Sequence, residues 1–350
     1  MEHPPDLNHR IVLAARPQGA PRVADFRSES IPIPVLQAGE LLTRTLYLSL
    51  DPYMRGRMSD APSYAQPVRI GEVMVGGTVS QVEISHHAGF AAGDLVLGYD
   101  GWQEFAVSDG SALTRLDPRS THLSQYLGVL GMPGFTGYMG LVDIGNPQRG
   151  ETVVVAAASG AVGSVVGQVA RILGCRAVGI AGGADKCGYV MQELGFDACI
   201  DHHGAGLPER LAAACPAGID VYFESVGGAV FDAVLPLLNP RARVAVCGLI
   251  ALYNETAPPA GPDRLGALLG TILRRRLRVQ GFIISEDYAG RQAEFVAAMT
   301  PWLAAGRIRY REDVIEGLAN APQALIGMLT GQNFGKLVVH IADATQSGGR

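Results

Sequence analysis

Residues 152–170, TVVVAAASGAVGSVVGQVA, run nineteen residues without a charge. A helix of that length, at ~1.5 Å rise per residue, would cross most of a bilayer. The punctuation inside the stretch points elsewhere. Thr152 to Val155 is a β-branched run; Ser159, Gly160 and Gly163 interrupt it; Val165 to Ile172 resumes, and Gly174 stands where a helix stops. The pattern predicts a buried parallel strand, a tight glycine turn and the first turns of a helix.

The same grammar continues outward. ETVVVAA is followed by a predicted helix Val162–Leu173, RAVGIA by Asp185–Leu194, DACI by Pro208–Ala214, and IDVYFESV by Val230–Leu238. ARVAVCG, a long loop, Arg264–Arg274 and RVQGFII complete the series. Six short apolar strands separated by helices predict an α/β, doubly wound parallel sheet. The first ~125 residues read differently, with Pro, Gly and short alternating runs such as ELLTRTLYLSL that suggest an antiparallel β-rich domain. After residue 306, REDVIEG, a helix around Ala321–Leu329 and a strand GKLVVHIA resemble the first domain more than the second. The expected division is 1–126 with 307–350 for the β-rich domain, and 127–306 for the parallel-sheet domain. ADATQSGGR reads as a frayed end.

Composition agrees with that organisation. The 350 residues suit about two domains, using roughly 150 residues per domain. Hydrophobic residues make up 48% and charged residues 17%, and the 45 glycines suit many tight strand–helix turns. A net charge of −5 gives no general attraction to nucleic acid or an anionic membrane. Arg274, Arg275, Arg276 and Arg278 read as a solvated helix end. The N-terminus lacks an apolar signal region, which makes cytoplasm the expected location. Cys175, Cys187, Cys199, Cys215 and Cys247 contain no CxxC pair, so neither a disulfide framework nor a zinc site is expected from spacing.

Ala158-Ser159-Gly160-Ala161-Val162-Gly163 is an AxGxxG variant of the dinucleotide fingerprint. It follows a predicted strand and opens a predicted helix, the context that gives such a match meaning. Gly160 would let the backbone approach a pyrophosphate, and Gly163 would let helix and strand pack closely. An NAD site usually carries an acid on the ribose about 20 residues further on. Gly182 occupies that place, with Lys186 just downstream, which favours NADPH/NADP+ over NADH. Lys186 also reads as an ordinary exposed lysine at a helix start.

Five motifs in order then extend the reading. YLSLDPYMRGRM (47–58), GMPGFTGYMGL (131–141), AAASGAVGSVVGQ (156–168), GLIALYNET (248–256) and NFGK (333–336) resemble the zinc-independent medium-chain dehydrogenase/reductases. Within them the chain is similar to the prostaglandin, alkenal and curcumin double-bond reductases, over residues 10 to 340. CIDHH (199–203) and GPDRL (261–265) look closest to the bacterial curcumin-reductase branch. The resemblance implies a GroES-like domain completed by the C-terminal tail, a Rossmann domain, an active site in the cleft, and commonly a homodimer. Zinc-dependent relatives carry cysteine and histidine ligands in the first domain; here no cysteine precedes residue 175.

By the same resemblance, Gly160, Ala161, Val162 and Gly163 would sit on the pyrophosphate, and Lys186, beside Gly182, on the 2′-phosphate. Cys247, Gly248, Leu249, Ile250, Tyr253, Phe282, Ile283, Ile284 and Asn333 would line the nicotinamide half. Met132, Thr136 and Ser225 are carried over as further cofactor contacts. Two positions depart. Gly183 stands where many relatives have Ser, and His202 where many have a Tyr beside the adenosine. His202 would replace that ring by stacking or, protonated, by pairing with phosphate; taken alone, an HH pair in a polar loop is solvated.

The implied reaction is reduction of the C=C bond of a hydrophobic α,β-unsaturated ketone or aldehyde. Hydride addition at the β-carbon leaves negative charge on the carbonyl oxygen, which a placed donor stabilises. Tyr253 is the candidate catalytic donor: it lies after the fifth predicted strand, at the carboxyl edge where such sheets bind ligands. The competing reading is a pocket wall. Tyr53 is assigned to the substrate lining, with Asp51 and Arg55 as a structural turn. His86 and His87 are adjacent and read as a polar loop. A quinone reductase, and a non-catalytic NADPH-binding redox sensor, are the alternatives; substrate choice would rest on loops 55–70 and 251–265. A nucleic-acid-binding role has only the arginine cluster behind it.

Overall fold

Thr152–Val155 forms a strand buried at every residue in the computed structural model, which describes residues 7–257 and 264–345. Residues 261–263 of the GPDRL motif, and with them part of loop 251–265, lie outside the described residues, as do the last five of the expected frayed end. In chain order the first strands are β1 (Leu7–Leu13), β2 (Phe26–Pro32), β3 (Leu41–Ser49), β4 (Thr78–Ser85), β5 (Leu95–Gly98), β6 (Phe105–Ser108) and β7 (Thr114–Arg115). Then come β8 (Thr152–Val155), β9 (Arg176–Ala181), β10 (Ala198–Asp201), β11 (Ile219–Glu224), β12 (Leu238–Val246) and β13 (Arg278–Gly281). β14 (Glu312–Glu316) and β15 (Lys336–His340) close the chain. The helices are α1 (Tyr53–Arg57), α2 (Met132–Met139), α3 (Gly163–Ile172), α4 (Ala184–Gln192) and α5 (Leu207–Ala214). They continue with α6 (Gly228–Val234), α7 (Leu265–Arg275), α8 (Ile284–Asp287), α9 (Gln292–Ala304) and α10 (Ala321–Leu329).

Two units result. The first takes the chain through Leu127, Glu312–Asn333 and the residues from Leu337; the second takes Gly128–Arg311 and Phe334–Lys336. In the first unit the strands run β14-β15-β3-β4-β5-β7, with β6 also on β3, and β1 pairs with β2 as a hairpin. β15 is an interior strand, antiparallel to β3 with Val338 opposite Ser49. Leu13, Leu48, Leu50, Met54, Trp102, Leu325 and Val339 share one core, where Trp102 stacks on Phe26 at 5.5 Å. The expected β-rich fold is what forms, and β14 and β15 lie in its sheet.

The second unit carries the predicted parallel sheet in the order β10-β9-β8-β11-β12-β13, a doubly wound Rossmann arrangement. β8 and β11 are neighbours although two strand–helix units separate them in the chain, so the winding reverses between them. The packing of α3 on the sheet is close. A Cβ on Gly167 would lie 1.7 Å from Phe196 Cζ.

Several elements differ from the sequence expectation, among them RVQGFII, whose strand ends at Gly281 while Ile284 opens α8. The helix predicted over 230–238 ends at Val234, Leu235–Leu237 forms a 3-10 turn, and Leu238 already belongs to β12. Pro236 has no N–H to continue the α-helical ladder. α2 was not anticipated because MPGFTGYM is poor in helix formers; burial on most of its surface and Pro133 in the first turn make it a helix. α9 was missed for a related reason, with Pro301 inside it.

Candidate functional site

The turn between β8 and α3 is shaped by contact with Ala157. Ala157 takes a left-handed conformation with φ +50°, one residue earlier than the fingerprint position at Ala158. A side chain on Gly163 would place its Cβ 2.4 Å from the Ala157 carbonyl oxygen, and one on Gly160 would lie 3.2 Å from it. Gly160 N–H donates to Ala157 O at 2.9 Å, Ser164 N–H to Gly160 O at 3.0 Å, and Val162 precedes α3 without any side-chain cap. Ala161 lies within the same turn. A bare, positively polarised helix start over a glycine cradle suits a pyrophosphate.

The tip of the next strand is built from Gly182, Gly183 and the loop after β10. A Cβ on Gly182 would meet His203 Nε2 at 2.8 Å and His202 Nε2 at 3.2 Å. The two imidazoles stand 4.1 Å apart, centroid to centroid. Asp201 holds this corner: its Oδ1 accepts from Gly183 N–H at 2.8 Å and from His203 N–H at 3.0 Å, which lowers its pKa. Lys186 is the third residue of α4. Partial burial, the His203 ring and the Lys186 ammonium hold the His202 imidazole below its ordinary value against the pull of Asp201.

At the end of β11 lies a buried carboxylate that sequence reasoning missed. Glu224 is 1% exposed. Its Oε1 accepts from Val226 N–H at 2.5 Å and Gly227 N–H at 2.9 Å, and its Oε2 from Tyr222 Oη at 3.0 Å. Its main-chain oxygen accepts from Cys247 N–H at 2.8 Å and Gly248 N–H at 3.3 Å. One residue therefore ties down both loops at this edge. Burial raises its pKa despite those donors. The Ser225 hydroxyl is buried beside the Cys247 thiol, a weak hydrogen-bonding group, and burial pushes that thiol up to about 12 although Ser225 lowers it.

After β12 the chain makes a 3-10 turn over Ile250–Leu252, which brings Tyr253 back toward the strand end. Leu249 N–H donates to Tyr253 Oη at 3.4 Å, and a Cβ on Gly248 would lie 3.1 Å from that oxygen. Phe282 is buried and meets the edges of Phe223 and Tyr288. Ile283 N–H donates to Asp287 Oδ2 at 2.7 Å, and Ile284 opens α8. Met132 opens α2, and the Thr136 hydroxyl donates to its carbonyl oxygen at 2.7 Å. The second unit thus gathers Gly160, Ser225, Cys247 and Tyr253 at the ends of β8, β11 and β12, with Gly182 and Lys186 beyond β9.

Two predicted residues belong to the first unit. Tyr53 opens α1 above the buried Asp51, where burial, Asp51 and Tyr99 raise its phenol well above the ordinary value. Asp51 accepts from the Ser49 hydroxyl, and Arg55 reaches Gly19 O at 2.8 Å, consistent with a structural turn. Asn333 ends a first-unit segment, while its neighbours are anchored in the second unit. There Arg311 lies 3.9 Å over the Phe334 ring, and a Cβ on Gly335 would meet Arg311 O at 2.2 Å.

These features fit a dinucleotide: a glycine cradle, a strand tip with glycine in place of an acid, and a buried hydroxyl beside a thiol. Among the described residues no group of three or more His, Cys, Asp or Glu is placed to hold a metal ion, and no helix is long and apolar enough to cross a membrane. His203 and Asp201 were absent from the sequence-derived set; the doubled histidine was their only signal.

Residues 9–116 match the family model described as the N-terminal domain of oxidoreductase, and residues 161–304 the one described as zinc-binding dehydrogenase. The chain is 57% identical over 335 residues to the NADPH-dependent curcumin reductase of Escherichia coli, covering 96% of this chain and 97% of that protein. Prostaglandin reductase 1 of Rattus norvegicus is 38% identical over 327 residues, covering 92% and 95%. The crystal structure of CurA in complex with NADPH from Vibrio vulnificus superposes with a TM-score of 0.94 at 57% identity, covering 96% of this chain and 99% of that one.

Proposed function

The chain belongs to the medium-chain dehydrogenase/reductase family, in the group of the curcumin and prostaglandin reductases, and from that premise we propose the reaction and the residues that serve it. It is an NADP-dependent oxidoreductase acting on C=C bonds, and its cofactor is NADPH. The proposed substrates are α,β-unsaturated ketones and aldehydes. The near-full-length 57% identity to an NADPH-dependent curcumin reductase carries this reading.

NADPH, when bound, would supply hydride to the β-carbon of the substrate, and the enolate so formed takes a proton at its α-carbon from solvent. The Gly160–Gly163 turn takes the pyrophosphate at the start of α3, and Lys186 takes the 2′-phosphate beside Gly182, where no carboxylate repels it. Ser225, the strand end at Cys247 and Gly248, and Phe282 line the nicotinamide half. Tyr253 donates to the substrate carbonyl oxygen as negative charge develops there. Its oxygen already accepts from Leu249 N–H, which polarises the phenol toward donation. Tyr53, kept protonated by burial, lines the substrate side.

A homodimer belongs to the same proposal. Leu265, Leu269 and Leu273 recur along one exposed face of α7, and among the described residues β13 pairs only with β12, leaving a sheet edge beside Val279. A cytoplasmic location fits five cysteines that form no disulfide.

The test follows NADPH absorbance with an acyclic enone, an alkenal and a quinone, with NADH as the paired control. Saturable enone turnover giving a product reduced at C=C, with preference for NADPH, is the expected result. Turnover of the quinone alone would replace the reading with quinone reduction; cofactor binding without turnover would replace it with a sensor.

A further inference from the structure

At the tip of β9 the structure sets two imidazoles where a dinucleotide site commonly sets a carboxylate. That position faces the adenosine ribose in this fold, and an acid there hydrogen-bonds the 2′-hydroxyl of NAD. Here Gly182 carries no side chain, and the Nε2 atoms of His202 and His203 converge on it, 3.2 and 2.8 Å respectively from where a Cβ would stand. We propose that His202 and His203 form a proton-gated clamp for the 2′-phosphate, so that NADPH binding takes up a proton and the preference for NADPH over NADH weakens as pH rises. The inference rests on the NADPH reading above.

The pair is held for this role by its backbone. His202 N–H donates to Ala181 O at 3.0 Å, and His203 N–H donates to Asp201 Oδ1 at 3.0 Å. Both rings reach solvent, so protons exchange freely. The charged and titratable groups around the pair are Asp201 on β10, Lys186 on α4 and Arg210 on α5, with the Cys187 and Cys199 thiols paired at 3.2 Å. Arg210 is directed to the carbonyl oxygens of Asp201 and Gly204 at 2.7 and 2.9 Å, and Asp201 Oδ1 to two backbone N–H groups. Lys186 and the two histidines lie on this same corner, where a phosphate would meet them.

The sign follows from the charges. Partial burial, the neighbouring His203 ring and Lys186 disfavour the His202 imidazolium in the unliganded protein. A phosphate dianion reverses that balance, so the pKa rises on binding and a proton is taken up. Between the two values, affinity falls as pH rises, by up to about tenfold per pH unit for each proton taken up. NADH has no 2′-phosphate and gains nothing from the charge.

The test is calorimetric titration of the whole chain with NADPH and with NADH at pH 7.0, in buffers of different ionisation enthalpy. Dissociation constants are also measured from pH 6.5 to 8.0. The expected result is uptake of about one proton with NADPH and none with NADH, and a weakening of NADPH binding of about fivefold or more across the range. The double variant His202→Gln, His203→Gln should bind NADPH without proton uptake and with a flat pH profile. The wild-type comparison stands whatever that variant does. NADPH binding without proton uptake, or equal uptake with NADH, overturns the clamp and leaves the cofactor assignment intact. Failure to bind NADPH at any pH overturns the cofactor assignment itself.

Discussion

Tyr222 and Glu224 lie two residues apart on β11, on the same face of the strand, and the phenol donates to the carboxylate at 3.0 Å inside the core. Glu224→Ala leaves that phenol and two backbone N–H groups unsatisfied, and should lower stability by about 2–4 kcal/mol. Glu224→Gln keeps one acceptor oxygen for the two backbone N–H groups, and the Tyr222 hydroxyl can rotate to accept from the amide NH2, so it should be milder. Burial holds the carboxyl above its ordinary value of 4.5, so the folded chain binds that proton more tightly than the unfolded one. The group's contribution is complete below 4.5 and is lost as pH rises through the folded value. Urea melts from pH 4.5 to 8 should show the wild type losing ground to Glu224→Gln; parallel curves would remove the assignment.

Gly163→Ala tests the cradle. Its Cβ would sit 2.4 Å from a backbone oxygen, which no rotamer can relieve. Movement of the turn should weaken NADPH binding by about tenfold or more, since misplacing the anion site costs roughly 1.4 kcal/mol or more. Fluorescence titration of NADPH reads this directly, and an unchanged dissociation constant contradicts the pyrophosphate assignment.

Tyr253→Phe separates donation from packing. Loss of a single oxyanion donor commonly lowers kcat by about 10²-fold. We expect a drop of about that size with a nearly unchanged NADPH dissociation constant. A mere pocket wall would show a raised KM and an undisturbed kcat.

The α7 stripe gives a prediction of a different kind. Leu269→Lys with Leu273→Lys places two charges on the exposed apolar face. Light scattering should report a dimer for the wild type and a monomer for the double variant, with the circular dichroism of both alike. A wild-type monomer refutes the dimer outright.

Much of this organisation is legible in the chain because strand and helix periods alternate so regularly after residue 151. The glycine turn, the six parallel strands and the returning tail all follow from local pattern. α2 and α9 do not, since tertiary burial rather than propensity makes MPGFTGYM and a Pro-containing segment helical. Glu224 is invisible for another reason: an acid at the end of IDVYFE looks like a solvated strand end until the loops fold over it. The corner of Asp201 and His203 is equally non-local. It forms only when β10 lies beside β9, and the sequence alone showed two adjacent histidines in a polar loop.

The placement of β15 between β14 and β3 has a consequence for synthesis. A ribosome releases β3 roughly 290 residues before β15, so the first unit's sheet lacks an interior strand during most of translation. The parallel-sheet unit is encoded almost entirely between those strands and can assemble first. Until β15 emerges, the Tyr47–Ser49 end of β3, which β6 does not cover, presents an open edge to other nascent chains nearby.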